Sequence, residues 1–175
     1  MIDRYDNIRG RNSDFSPFFT LNNRNWLNRM KLCRSIVIKA TGEEIWPFLV
    51  EPEKILKWCT PINVIKYSDQ QRSGVGTTFY FEEKAVGRMM KLHFVVTEWI
   101  LNRSVAFQMT SGNVVKGYNQ RYTIEATPSG SLLTCFEDVT LPFSFLGKCA
   151  GLFRRFTSNR LLDGMLLNLK YLVEA

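Results

Sequence analysis

Tyr118, Gln120 and Tyr122 stand at alternate positions of a strand-like stretch, in phase with the apolar Ile124. Their neighbours Asn119, Arg121, Thr123 and Glu125 fall on the other, solvated phase. On a covered sheet face, such a Tyr-Gln-Tyr row supplies donors and acceptors inside apolar walls, which is how a small molecule is held in one orientation. The same row also fits the margin of an ordinary core with both hydroxyls turned to water. The alternation does not choose between the two.

Two carboxylates also fall in apolar phases. Glu137 alternates with Leu133, Cys135, Val139 and Leu141, and Glu98 follows Phe94 and Val96. An inward carboxylate either finds a partner or has its pKa raised, and then becomes a candidate acid or base. A bulge or one-residue slip sends either group to solvent and would turn Asp138 inward instead of Glu137. The outward placement is the expectation for Glu98 and is held less firmly for Glu137. His93, the only histidine, shares the solvated phase with Lys91 and Thr97 and reads as a surface residue. No histidine cluster suggests a metal site, and Gly74-Val75-Gly76 lacks the Gly-Lys-Ser/Thr of a phosphate loop. The sequence therefore assigns no catalytic residue, no metal and no cofactor.

The elements that must position these groups are mostly strands. Alternation predicts strands over 62–67, 76–84, 88–100, 103–110, 114–126 and 131–141, separated by short turn-like breaks such as Gln71-Arg72-Ser73-Gly74 and Pro128-Ser129-Gly130. Connections this short favour sequential antiparallel neighbours. One face collects Phe79 and Phe81, then Met90, Leu92, Phe94 and Val96, then Val105, Phe107 and Met109. A further strand begins at Leu32, and two short helices follow it. Thr41 is the expected N-cap of the first, Pro47 disturbs that helix and Pro52 ends it. The proline-free run Leu146–Val173 predicts a closing helix roughly 40 Å long. Leu162, Met165, Leu166, Leu169, Leu172 and Val173 share one face of it, Cys149, Leu152, Phe153 and Phe156 another, with a change of partner or a bend at 157–160. The expected fold is α+β: a curved antiparallel sheet of about seven strands, in the order β-α-α-β6-α, wrapped around the last helix.

Composition narrows the classes of function. The net charge of +7 is dispersed along the chain, with only Arg154-Arg155 paired in the last helix, and no nucleic-acid partner is expected from it. Four cysteines lie far apart without a CxxC, three in apolar patterns, so free thiols in a reducing, cytoplasmic setting are expected. No apolar run approaches the length of a membrane span, and no signal-peptide core is seen. Residues 1–29 lack a sustained period and read as a loosely ordered extension, with residues 30–175 as the folded domain. The apolar loop Leu141–Gly147 is read as a hydrophobic staple on the last helix in preference to a membrane-contacting lip beside Arg154, Arg155 and Arg160.

From Met30 onward the order of several short motifs resembles the START/SRPBCC superfamily, the helix-grip fold of polyketide cyclase/dehydratase-like and lipid-transfer domains. The motifs are Ile38-Lys39-Ala40 before Glu44-Ile45-Trp46-Pro47-Phe48, Pro52-Glu53-Lys54 with Lys57-Trp58, Gly74-Val75-Gly76-Thr77, Val96-Thr97-Glu98-Trp99, Asn102-Arg103, Leu141-Pro142 and Leu166-Leu167-Asn168-Leu169-Lys170. The resemblance implies a cavity between the sheet and the long helix. Phe79, Phe94, Phe107, Met109, Tyr118, Gln120, Tyr122, Glu137, Leu152 and Phe156 are the residues expected to face it. The implied partner is a hydrophobic or amphipathic small molecule such as a lipid, isoprenoid or polyketide. The fold also hosts enzymes, in which Glu137 would act as acid/base with Tyr118 or Tyr122 orienting a carbonyl, and modules that act on ribosomes or chaperones. With no histidine in the inward pattern, binding without turnover is the preferred expectation. Ligand identity and oligomeric state stay open at this stage.

Overall fold

The computed structural model describes residues 29–85, 88–142 and 159–175. Strand β1 (Arg29–Ile38) leads into three short helices, α1 (Gly42–Ile45), α2 (Pro47–Val50) and α3 (Pro52–Trp58). Strands β2 (Ile62–Tyr67), β3 (Thr78–Ala85), β4 (Arg88–Ile100), β5 (Ser104–Gly112), β6 (Gly117–Thr127) and β7 (Gly130–Thr140) follow, and α4 (Asn159–Glu174) closes the chain. The expected strand order is found, with boundaries shifted by at most three residues. The stretch expected as one helix followed by another contains three. Pro47 and Pro52 each take the first position of a new helix, where a missing N–H costs nothing.

All neighbouring strands are antiparallel, in the order β1-β7-β6-β5-β4-β3-β2. Successive hairpins build β2 to β7, and β1 then joins the far edge beside β7. The helices α1 to α3 therefore run from one edge of the sheet to the other and close one end of its concave face. Thr41 and Glu44 fix the turn into them with a reciprocal capping box: the Glu44 N–H donates to Thr41 Oγ1 at 3.3 Å, and the Thr41 N–H donates to Glu44 Oε2 at 2.7 Å. Gly42 is needed because a Cβ there would lie 2.5 Å from the Asn102 carbonyl oxygen, at the β4–β5 turn.

The core sits between the concave face and the helices. Phe79, Leu92, Val96, Val105, Leu133 and Cys135 from the strands are fully buried with Ile45, Leu49 and Trp58 from the helices. On α4, Leu162, Met165, Leu166 and Leu169 form the buried stripe, and α4 packs on β1 and α3. Leu172, expected on that stripe, is exposed, and Val173 is half-buried against the core. Among the described cysteines Cys135 is buried, Cys59 half-buried and Cys33 exposed; the alternation of β1 turns Cys33 to solvent.

The register settles the two ambiguous glutamates. In β4 the pairing with β5 slips between Val96 and Glu98, so one extra residue inverts the phase. Glu98 is thereby turned to the convex face, where it accepts from Arg121 Nη2 at 2.6 Å and from the Ser104 hydroxyl. No slip occurs in β7, and Glu137 stays on the concave face, 4% exposed. Its neighbour Asp138 is buried on the other face in an ion pair with Arg29. His93 is exposed and rests against the Tyr80 ring on the convex side. The expected extension lies outside the described residues except for Arg29, which opens β1. Residues 143–158, with Cys149, Leu152, Phe156 and all of the expected staple but Leu141 and Pro142, lie outside them too.

Candidate functional site

Antiparallel pairing of β6 with β7 sets Gln120 opposite Glu137, with Tyr122 opposite Cys135 and Tyr118 opposite Val139. All of these side chains point into the concavity. Gln120 Nε2 donates to Glu137 Oε1 at 2.9 Å, and the Tyr118 hydroxyl bears on the same carboxylate. Burial pushes the Glu137 pKa up, and the two hydrogen bonds, which favour the charged form, offset part of that rise.

A second carboxylate arrives from the opposite side. On β3 the concave phase runs Phe79, Phe81, Glu83. Glu83 is half-buried at the cavity wall, and its pKa rises to about 7, first through burial and then through the negative charge of Glu137. Burial likewise holds the Tyr118 and Tyr122 hydroxyls and the Cys59 and Cys135 thiols well above their ordinary pKa values. Those four groups are neutral at physiological pH, so the two carboxyls are the titrating groups of this wall.

Of these titratable residues all but Cys135 border an empty space of about 820 Å³, a figure that includes the part open to solvent. The sheet contributes Leu32, Ile62, Phe81, Leu92, Phe94 and Phe107 beside the polar groups already named. The opposite wall is Leu49, Ile55, Trp58, Cys59 and Pro61 with Leu161, Leu162 and Met165 of α4. Several rings are locked edge to face: Phe81 on Phe94 at 5.1 Å, Phe94 on Tyr118 at 5.5 Å and Trp58 on Tyr122 at 6.3 Å. Trp58 is further fixed by its indole N–H, which donates to the Phe48 carbonyl at 2.8 Å. Most of the wall is apolar, and its few polar groups converge, which is the make-up of a small-molecule site.

Six residues expected from the sequence line this one cavity: Phe94, Phe107, Tyr118, Gln120, Tyr122 and Glu137. Two others do not. Phe79 is fully buried in the packed core beside it, 5.9 Å from the Phe107 ring and 4.9 Å from that of Tyr67. Met109 is half-buried against the core near the far end of β5. Leu152 and Phe156 lie outside the described residues. The residue that sequence reasoning missed is Glu83. Its signal was present, since it continues the Phe79–Phe81 alternation by one more step. Trp58, Cys59 and Ile62 were also missed, because short helices and their exits carry no period long enough to read. Among the described residues no group of His, Cys, Asp and Glu could hold a metal ion, and no helix is long and apolar enough to cross a membrane.

Comparison with known proteins gives the fold a wider setting. Residues 29–174 match the family model described as polyketide cyclase / dehydrase and lipid transport. Among solved structures, the chain is similar to the Zhui aromatase/cyclase from Streptomyces sp. R1128, with a TM-score of 0.71 at 9% identity over 83% of this chain and 94% of that one. A START superfamily protein from Mycobacterium smegmatis gives a TM-score of 0.64 at 17% identity, covering 82% of this chain and 97% of the other. Major latex-like protein 151 from Panax ginseng gives 0.60 at 15% identity, covering 84% and 96%. No curated protein sequence matches the chain.

Proposed function

We propose that this chain, which belongs to the polyketide cyclase / dehydrase and lipid transport family, binds a hydrophobic or amphipathic small molecule between its sheet and its last helix. The class we have in mind is a lipid, isoprenoid or polyketide-like molecule. One observation carries the reading: an apolar, ring-lined space in which Tyr118, Gln120, Glu83 and Glu137 converge. Tyr122 and Trp58 give it a rigid floor, and the Gln120–Glu137 hydrogen bond fixes the direction in which the carboxylate presents its second oxygen. Fluorescence titration with the neutral probe N-phenyl-1-naphthylamine tests it. One equivalent should be taken up, and Met165→Trp, which fills the space from α4, should weaken uptake at least about tenfold, the factor that about 1.4 kcal/mol represents. No uptake by the wild type would refute the proposal.

A second reading is an enzyme, and the paired carboxyls favour it. With pKa values moved toward neutrality, Glu83 and Glu137 fit the requirement for proton transfer at physiological pH. In that reading Glu137 removes a proton next to a ligand carbonyl while Tyr118 or Tyr122 donates a hydrogen bond to the carbonyl oxygen. The discriminating measurement is the chemical fate of the bound ligand over hours. Conversion by the wild type and not by Glu137→Gln, with affinity kept, selects the enzyme; a ligand recovered unchanged from both selects the carrier.

A further inference from the structure

The cavity is unbalanced in charge. Glu83 and Glu137 both open into it, while its described lining contains no lysine, arginine or histidine. Among the described residues the Glu83 carboxylate makes no hydrogen bond or ion pair, and Glu137 has Gln120 and Tyr118 but no cation. Elsewhere the fold pairs its half-buried acids. Buried Asp138 meets Arg29, and half-buried Glu98 and Glu82 meet Arg121 and, at 3.9 Å, Lys91. Among the described residues, then, two buried or half-buried acids without a cation open into the same cavity. Carboxylates in apolar surroundings are costly unless a cation joins them, and an ammonium offers both charge and N–H donors. Phe81, Phe94 and Trp58 line the same space, and aromatic rings also attract a cation.

We propose that the molecule bound here is an amphiphilic amine, its protonated nitrogen seated between Glu83 and Glu137 and its hydrocarbon body along the apolar wall. This rests on the ligand-binding reading above and names the chemistry of the occupant. The overall charge of +7 opposes an incoming cation, so any preference for an amine has to arise inside the cavity. Burial raises the pKa of both carboxyls, and for Glu83 the negative charge of Glu137 adds to the rise.

Displacement of N-phenyl-1-naphthylamine from the full chain by dodecylamine, dodecanol and dodecanoate, each below its micellar concentration, provides the test. Dodecylamine should bind at least about tenfold more tightly than dodecanol, as expected for charge-assisted hydrogen bonds, and dodecanoate should be the weakest. Glu83→Gln and Glu137→Gln should each reduce the ratio of dodecylamine to dodecanol affinity severalfold, and together they should abolish that preference. Equal affinity for amine and alcohol overturns the proposal and leaves the binding reading standing. A preference that survives in the double variant overturns it too. If neither the neutral probe nor any dodecyl compound binds, both readings fall. Should the variants not fold, the three-compound series on the wild type decides alone.

Discussion

Glu83 and Glu137 stand on β3 and β7 with three strands between them, yet each contributes to the wall of one cavity and the charge of one raises the pKa of the other. On a flat sheet four strand spacings would hold them about 19 Å apart. Their meeting is a product of curvature, to which the β-bulge in β4 contributes. The chemistry of the site is therefore set by sheet shape as much as by residue type.

Stability should depend on pH through this pair. The Glu83 carboxyl moves from an ordinary value of 4.5 to about 7 on folding, so the folded state holds its proton more tightly than the unfolded chain does. Its contribution is most favourable where both states are protonated, and stability is lost as pH rises from about 4.5 to about 7. Urea unfolding across that window should show the decline, and Glu83→Gln should flatten it and raise stability at pH 8 by up to about 3 kcal/mol. The slope that remains belongs to Glu137, whose shift has the same sign. Identical slopes in the wild type and the variant would rule out a buried, proton-binding Glu83.

Two neighbouring phenylalanines should respond differently to truncation. Phe79 is enclosed by Tyr67, Phe81 and Phe107, so Phe79→Ala should cost about 3–5 kcal/mol, the usual amount for a filled core. Phe107 has the cavity on one side and lacks partner atoms there. Phe107→Ala should cost about 1–2 kcal/mol less than Phe79→Ala, read from chemical denaturation of both variants. Equal losses would mean that the space beside Phe107 is packed.

The outward ion pair should matter little. Glu98 and Arg121 have side chains 28% and 41% exposed. Glu98→Gln should lower stability by less than about 1 kcal/mol, and the loss should shrink in high salt. It should leave probe binding unchanged. Reduced probe uptake in this variant would show that the bulge also positions the cavity wall.

Which residues face inward was legible from alternation. Phe94, Phe107 and the Tyr118-Gln120-Tyr122 row were placed by period alone, since each strand has one covered face. What alternation does not contain is where that face is packed and where it is hollow. Phe79 and Phe94 have the same pattern in sequence, yet Phe79 is enclosed by the rings of Tyr67, Phe81 and Phe107 while Phe94 lines the open space. The phase of Glu98 was hidden because a bulge is a hydrogen-bonding event between strands and leaves no mark on residue type. Glu83 was overlooked for a different reason. A charged residue ending an apolar phase looks like the end of the pattern, although here it is the part of the pattern that carries chemistry.

The seating of β1 beside β7 has a consequence in time. Arg29 pairs with Thr140, while every hairpin from β2 to β7 joins strands that are close in sequence. The local hairpins can zip early, but closing a loop of some hundred residues carries a larger entropic cost and slows the step that depends on it. During synthesis β1 must wait, its edge unpaired, until β7 has emerged from the ribosome. Pulse-labelled hydrogen exchange during refolding should accordingly protect β4 and β5 before β1. Protection of β1 in the first phase would show instead that the two distant edges nucleate the sheet. On the expected order, the wall that holds Leu32 is set last, and the chain passes through a stage in which its binding surface is already shaped on one side and still open on the other.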